Sequence, residues 1–339
     1  MRRNRTVPRG QVHRLSLTSE VLAGNPLGDP VERTLHAYTP AGYSAEARLP
    51  LLVDVVGFTG SGMSHTNWRP FTENVPERVD RLIGEGKMGP VVVAFPDCYS
   101  RLGGNQYINS AAIGRYEDYL VDEVVPFVER DFGCGGAGNR AIFGKSSGGY
   151  GSIMHGMRRA DIWAALACHS GDMGFELCYL HDVPKVLNEL AKHGRSIEKF
   201  MAHFEVTQKP TEDETAVINL LAMAASYDPD PSSFLGIRLP VDHYTGELIP
   251  ERWRNWLAWD PALLADAHAD SLRGLKGIYI DCGDRDQFHL HYGARRLHRA
   301  LERLGIAHVY EEFSDDHSAV DYRMDKSLPF LEKALRKSS

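Results

Sequence analysis

No stretch of the chain approaches the ~18 consecutive apolar residues of a membrane-spanning helix, and no charged start is followed by an apolar run of the kind that marks a secretory signal. Cysteine is sparse. The five residues Cys98, Cys134, Cys168, Cys178 and Cys282 are odd in number and contain no CxxC pair. That excludes a zinc ribbon and a disulfide framework, and points to reduced, buried thiols in a cytoplasmic enzyme. Positive charge is also lacking. The net charge of −7 supplies no basic stripe to neutralise phosphates, which argues against a nucleic-acid groove. The cluster Arg2, Arg3, Arg5 and Arg9 is too short to change this and reads as a solvated tail. Internal repeats and low-complexity tracts are absent as well.

What remains is an ordinary globular composition over 339 residues, 43% hydrophobic and 24% charged, enough for one domain with a large insertion. Eight apolar or β-branched runs read as strands: 12–17, 31–38, 51–58, 91–95, 140–143, 163–167, 277–282 and 308–313. Several are nearly continuous, as expected of parallel strands buried on both faces. Helical patterns separate them at 116–132 (interrupted by Pro126), 292–304 and 320–337. Alternating strands and helices predict a doubly wound, mostly parallel α/β sheet. The close spacing of the first strands suggests an antiparallel start. The alternation stops between Gly171 and Ser271, so the chain divides into a core of 1–171 with 271–339 and a mainly helical cap insertion of 172–270.

The strongest chemical signal is Gly144-Lys145-Ser146-Ser147-Gly148, directly after a strand and before a helix. A G-x-S-x-G turn holds its serine on a sharp strand-to-helix reversal with the hydroxyl exposed above the sheet. Ser146 has glycines at both −2 and +2, whereas Ser147 has Lys145 at −2, so the register selects Ser146. The string GKSS also resembles the end of a phosphate-binding loop. That motif requires glycine where Asn139 stands, and the intervening residues look like strand.

A serine hydroxyl needs a histidine to take its proton and a carboxylate to orient that histidine. Serine, acid and histidine follow in this chain order in such a fold. His317, in a loop after the last strand, is the base candidate among 15 histidines. Asp281, Asp284 and Asp286 compete as acid in GIYIDCGDRDQF. Asp281 still belongs to the strand; Asp286 is preferred, with Asp284 next. A metal site of these aspartates with His289 and His291 is disfavoured, because side chains at i and i+2 diverge on a helix. No metal or cofactor is therefore expected. Two backbone N–H groups should form an oxyanion hole, one from Ser147 and one from the 57–60 loop, with Phe58 the best donor.

In combination, TPAGY (39–43), VVGFTG (55–60), YEDYLVDEVVPFVERDF (116–132), FGKSSGGYGS (143–152), CGDRDQF (282–288) and DDHS (315–318) resemble the esterase D branch of the α/β-hydrolases. That branch includes S-formylglutathione hydrolases, enterochelin-esterase-like enzymes and antigen 85 mycolyltransferases. The resemblance implies an α/β-hydrolase fold with Ser146 as nucleophile, Asp286 as acid in G-x-x-D-x-F, His317 as base, and Phe58 and Ser147 as oxyanion donors. It covers most of the chain outside 172–270. The family usually carries a larger apolar residue, often methionine, where Ser147 stands. The implied function is a serine carboxylesterase acting on a small-molecule ester, with a homo-oligomer allowed. A thioesterase or acyltransferase on the same triad is the alternative, a peptidase a weaker one, and a non-catalytic binding module the alternative of another class. Trp253, Trp256 and Trp259 recur at i, i+3 and i+6. They are expected to share a helix face of the cap, with Trp253 and Trp256 walling the acyl pocket.

Overall fold

The computed structural model describes residues 6–336; the reading of Arg2, Arg3 and Arg5 as a solvated tail lies outside them. Eight strands form the main sheet: β1 (Gln11–Thr18), β2 (Glu32–Thr39), β3 (Leu51–Val55), β4 (Val92–Phe95), β5 (Arg140–Lys145), β6 (Ala165–His169), β7 (Gly277–Gly283) and β8 (Val309–Phe313). Their spatial order is β1-β2-β4-β3-β5-β6-β7-β8. β1 pairs with β2 and β2 with β4 antiparallel, and every later neighbour is parallel. The expected antiparallel start is present. Each of the eight apolar runs became a strand, because β3, β4 and β6 are buried along their whole length and so need apolar side chains on both faces. The edge strand β1 instead alternates exposed and half-buried residues.

Helices cover both faces. On one lie α1 (Val75–Gly84), started by an Asn74–Glu77 capping box, and the C-terminal helix α9 (Met324–Arg336). Val79 and Leu82 of α1 meet Leu328 and Leu331 of α9 over Val93 and Phe143. On the other face lie α2 (Val125–Phe132), α3 (Ser147–Arg158) and α8 (Leu290–Arg303). Pro126 leaves its mark just before α2: residues Tyr119–Val124 are wound as a π-helix, with the Val125 N–H reaching the Leu120 carbonyl. A proline has no N–H to continue the ladder and crowds the carbonyl four residues earlier, so the turn widens there.

Between β6 and β7 the chain forms helices, chiefly α4 (Val183–Lys192), α5 (Ile197–Phe204), α6 (Glu212–Tyr227) and α7 (Pro250–Leu257). Thr211 and Glu214 box the start of α6, whose residues from Leu220 to Tyr227 are all buried. An isolated bridge between Val241 and Leu248 is the one extended pairing there among the described residues. Among them too, no helix is long and apolar enough to cross a membrane.

β4 and β5 flank β3 on opposite sides, so the strand order reverses there. At such a switch point the loops leaving the carboxyl ends of neighbouring strands diverge and open a crevice. The loops after β3, β5, β7 and β8 carry Gly57–Gly60, Ser146, Asp286 and His317.

Candidate active site

Ser146 sits between β5 and α3 with φ 58° and ψ −125°, a conformation that costs on the order of 1–3 kcal/mol for a residue with a Cβ. Its N–H donates to the His169 carbonyl at 3.0 Å, and its own carbonyl accepts from Tyr150 N–H at 2.9 Å, so the reversal is pinned at both ends. The glycine spacing has a direct cause. A Cβ on Gly144 or on Gly148 would collide with the Val55 carbonyl of β3. The elbow is pressed so closely onto the neighbouring strand that only glycine fits at −2 and +2.

Asp286 and His317 come together from different loops. His317 Nδ1 donates to Asp286 Oδ2 at 2.7 Å, with the carboxyl 2% and the imidazole residue 8% exposed. Since a carboxylate only accepts, Nδ1 carries the proton and Nε2 is left as the acceptor for a serine hydroxyl. Burial alone would raise the Asp286 carboxyl. The hydrogen bond and charge of His317, with the Phe288 backbone N–H, outweigh burial and hold it below the usual carboxylate range. Asp284 is exposed, and Asp281 is buried in β7, bonded to His169 and Arg323. Ser146 Oγ makes no hydrogen bond among the described residues, an open geometry common before substrate is bound.

The two residues after Asp286 hold His317 in place. Gln287 Oε1 accepts from the His317 backbone N–H at 2.9 Å, and the Phe288 ring meets the imidazole edge-on at 4.9 Å. The preceding Lys145 is half-buried, and burial pushes its ammonium down against the opposing pull of Asp321 and Asp286.

The 57–60 loop lies beside the nucleophile. A Cβ added to Gly57 would stand 3.4 Å from Ser146 Cβ and 4.0 Å from its Oγ. Neither Phe58 N–H nor Ser147 N–H donates to a backbone carbonyl among the described residues. Phe58 is backed by Gly104, whose N–H donates to the Phe58 carbonyl at 2.6 Å and where any side chain would strike that backbone. Val56 is tied by the Tyr107 hydroxyl at 2.6 Å.

The tryptophans take a different place from the expected one. Trp256 is 0% exposed and Trp253 nearly buried, in an aromatic cluster with Tyr179 and Tyr227 at ring separations of 5.4–5.7 Å. Both belong to the hydrophobic core that the 172–270 segment shares with the sheet and its helices, which supports packing for both in place of the pocket wall foreseen for them. Trp259 lies beyond the end of α7 at Leu257, so the three do not share one helix face. Replacing Trp256 by alanine should lower stability by about 3–5 kcal/mol, the range for large-to-small core changes. A urea midpoint within error of wild type would contradict this packing role. Among the described residues no group of three or more His, Cys, Asp or Glu is arranged to hold a metal, and His289 and His291 belong to no such group.

The model of the esterase family, described as "Putative esterase", matches residues 30–325. Among solved structures, a ferulic acid esterase is similar at TM-score 0.62 and 18% identity, over 96% of this chain and 99% of that one. The S-formylglutathione hydrolase from Staphylococcus aureus is similar at TM-score 0.57 and 15% identity, over 97% and 100% of the two chains. That from Agrobacterium tumefaciens gives TM-score 0.57 and 16% identity, over 96% of each.

Proposed function

The chain belongs to the esterase family, ester-hydrolysing enzymes of the α/β-hydrolase fold, and from that premise we propose that it is a serine carboxylesterase working through Ser146, His317 and Asp286. The observation that carries this reading is the strained Ser146 backbone, held by Gly144 and Gly148 at the carboxyl end of the strands, the end from which the loops bearing the His317–Asp286 pair also leave. Strain of that kind at a half-buried serine is typical of a functional site.

In this mechanism Ser146 Oγ attacks the ester carbonyl as its proton passes to His317 Nε2. Asp286 stabilises the resulting imidazolium through the Nδ1 hydrogen bond. The N–H groups of Phe58 and Ser147 bind the developing oxyanion; a single such donor is worth about 10²–10³ in kcat. His317 then protonates the departing alkoxide, leaving an acyl ester on Ser146. Water, deprotonated by the same imidazole, releases the acid. The substrate is a small-molecule ester, and the cytoplasm is our assignment from the five free, buried cysteines.

A thioesterase would use the same residues, and two of the similar structures are S-formylglutathione hydrolases. Paired oxygen esters and thioesters of one acyl group decide between them. We expect the higher kcat/KM with the oxygen ester and no preference for an added alcohol acceptor over water. A higher value with the thioester, or dominant transfer to the alcohol, would replace carboxylesterase by thioesterase or acyltransferase. A binding module would turn over neither.

A further inference from the structure

Beside the nucleophile lies a polar cluster that the mechanism does not use. Asp172, three residues beyond β6 and 7% exposed, stands against Ser147, the neighbour of the catalytic serine. Its Oδ2 accepts from the Tyr179 hydroxyl at 3.0 Å, from Gln106 Nε2 at 3.3 Å and from Ser147 Oγ at 3.4 Å. Gln106 Nε2 also donates to Ser147 Oγ at 2.8 Å, and the Tyr179 hydroxyl meets that of Tyr227 at 3.1 Å. Burial pushes the Asp172 carboxyl above the usual carboxylate range, against the opposing pull of the Tyr179 hydrogen bond and of His317.

Two acceptor atoms of this cluster have no hydrogen-bond partner among the described residues. All three donors converge on Oδ2, while Oδ1 accepts no hydrogen bond among the described residues and is not sealed from solvent. Gln106 Oε1, in a side chain 1% exposed, is buried without any partner. The contrast with Asp260 is instructive. That buried aspartate spends both oxygens on the backbone N–H groups of Gly174, Phe175 and Ala262, fixing the start of a short helix. Asp172 caps nothing. A buried acceptor without a partner costs free energy, so the orphaned Gln106 amide oxygen, beside the solvent-open Asp172 Oδ1, awaits a donor from elsewhere.

We propose that Asp172 Oδ1 and Gln106 Oε1 form a substrate-binding subsite for a hydrogen-bond donor, a hydroxyl or an ammonium, on the acyl part of the ester. The assignment rests on the esterase reading above. It makes Asp172, with Gln106 held beside it, a specificity residue. Acyl groups bearing such a donor satisfy the two acceptors, and plain aliphatic acyl groups leave them unpaired.

The test uses matched methyl esters followed by pH-stat: a plain linear acyl ester, and analogues carrying a hydroxyl or an amino group at successive carbons. For the wild-type chain we expect at least one substituted ester to exceed the plain one about ten-fold or more in kcat/KM, because unpaired buried acceptors penalise an analogue lacking the donor. In Asp172→Ala that ratio should fall towards one. Asp172→Asn separates the two donors: the three donors on Oδ2 hold its amide oxygen there, so its NH₂ takes the Oδ1 place, where a hydroxyl can still accept from it but an ammonium is repelled. A wild-type ratio near one for every analogue overturns the subsite even if no variant folds, as does a ratio unchanged in a folded Asp172→Ala. Labelling of Ser146 by a fluorophosphonate, run alongside, keeps the two readings apart. Labelling with a ratio near one refutes only the subsite, whereas absent labelling refutes the esterase mechanism itself.

Discussion

Ser146→Ala should lose on the order of a million-fold in kcat on any ester the wild type hydrolyses, the loss found when a triad nucleophile is removed from a comparable serine enzyme. The substitution removes one oxygen and leaves Gly144, Gly148 and the reversal they allow in place. The fold should therefore survive, and alanine at φ 58° remains as strained as serine. Ser147→Ala is the control. It deletes the hydroxyl bonded to Gln106 and Asp172 but keeps the backbone N–H, so it should remain reactive towards a phosphonate. If Ser147→Ala abolished that reactivity and Ser146→Ala did not, the nucleophile would have to be reassigned.

Asp286→Asn should lower kcat by about 10⁴-fold, with Asp284→Asn changing it little. The reason lies in the direction of one hydrogen bond. Asp286 Oδ2 accepts from His317 Nδ1 at 2.7 Å, which leaves Nε2 bare for the Ser146 proton. An asparagine can present its NH₂ to Nδ1 instead, which moves the imidazole proton to Nε2 and blocks the base. Even in the other amide orientation no negative charge faces the imidazolium. Asp284 is exposed beside Arg285, out of contact with the imidazole. Steady-state kinetics with circular dichroism as a folding check settle the comparison. A larger loss in a folded Asp284→Asn would overturn the assignment of the acid.

The strands were readable because a parallel strand buried on both faces must be apolar throughout, and such runs stand out. Their ends were less readable. The third run extends to Phe58 in the sequence, whereas β3 stops at Val55. An apolar run does not distinguish the strand from the loop that lifts Gly57 and Phe58 towards Ser146. The elbow was readable because its glycines answer a single steric demand, the approach of the Val55 carbonyl.

Asp172 and Gln106 were not readable, since 66 residues separate them and only the fold brings Tyr179 against Asp172 and Met223 against Gln106. The tryptophans show a different limit. Their spacing identifies an apolar helix face but not what that face meets, and here Trp256 meets the rings of Tyr179 and Tyr227. Gly104 behind Phe58 gave no sign in the sequence either, because its role is a backbone contact across more than forty residues.

The central claim is that Ser146 is the nucleophile activated by His317 and Asp286. It is tested most directly by treating the wild-type chain with a fluorophosphonate and locating the adduct by peptide mass mapping. The account predicts one adduct per chain, on Ser146, with labelling strongly slowed in His317→Ala and absent in Ser146→Ala. An adduct on another residue, or undiminished labelling of the Ser146→Ala chain, would contradict it.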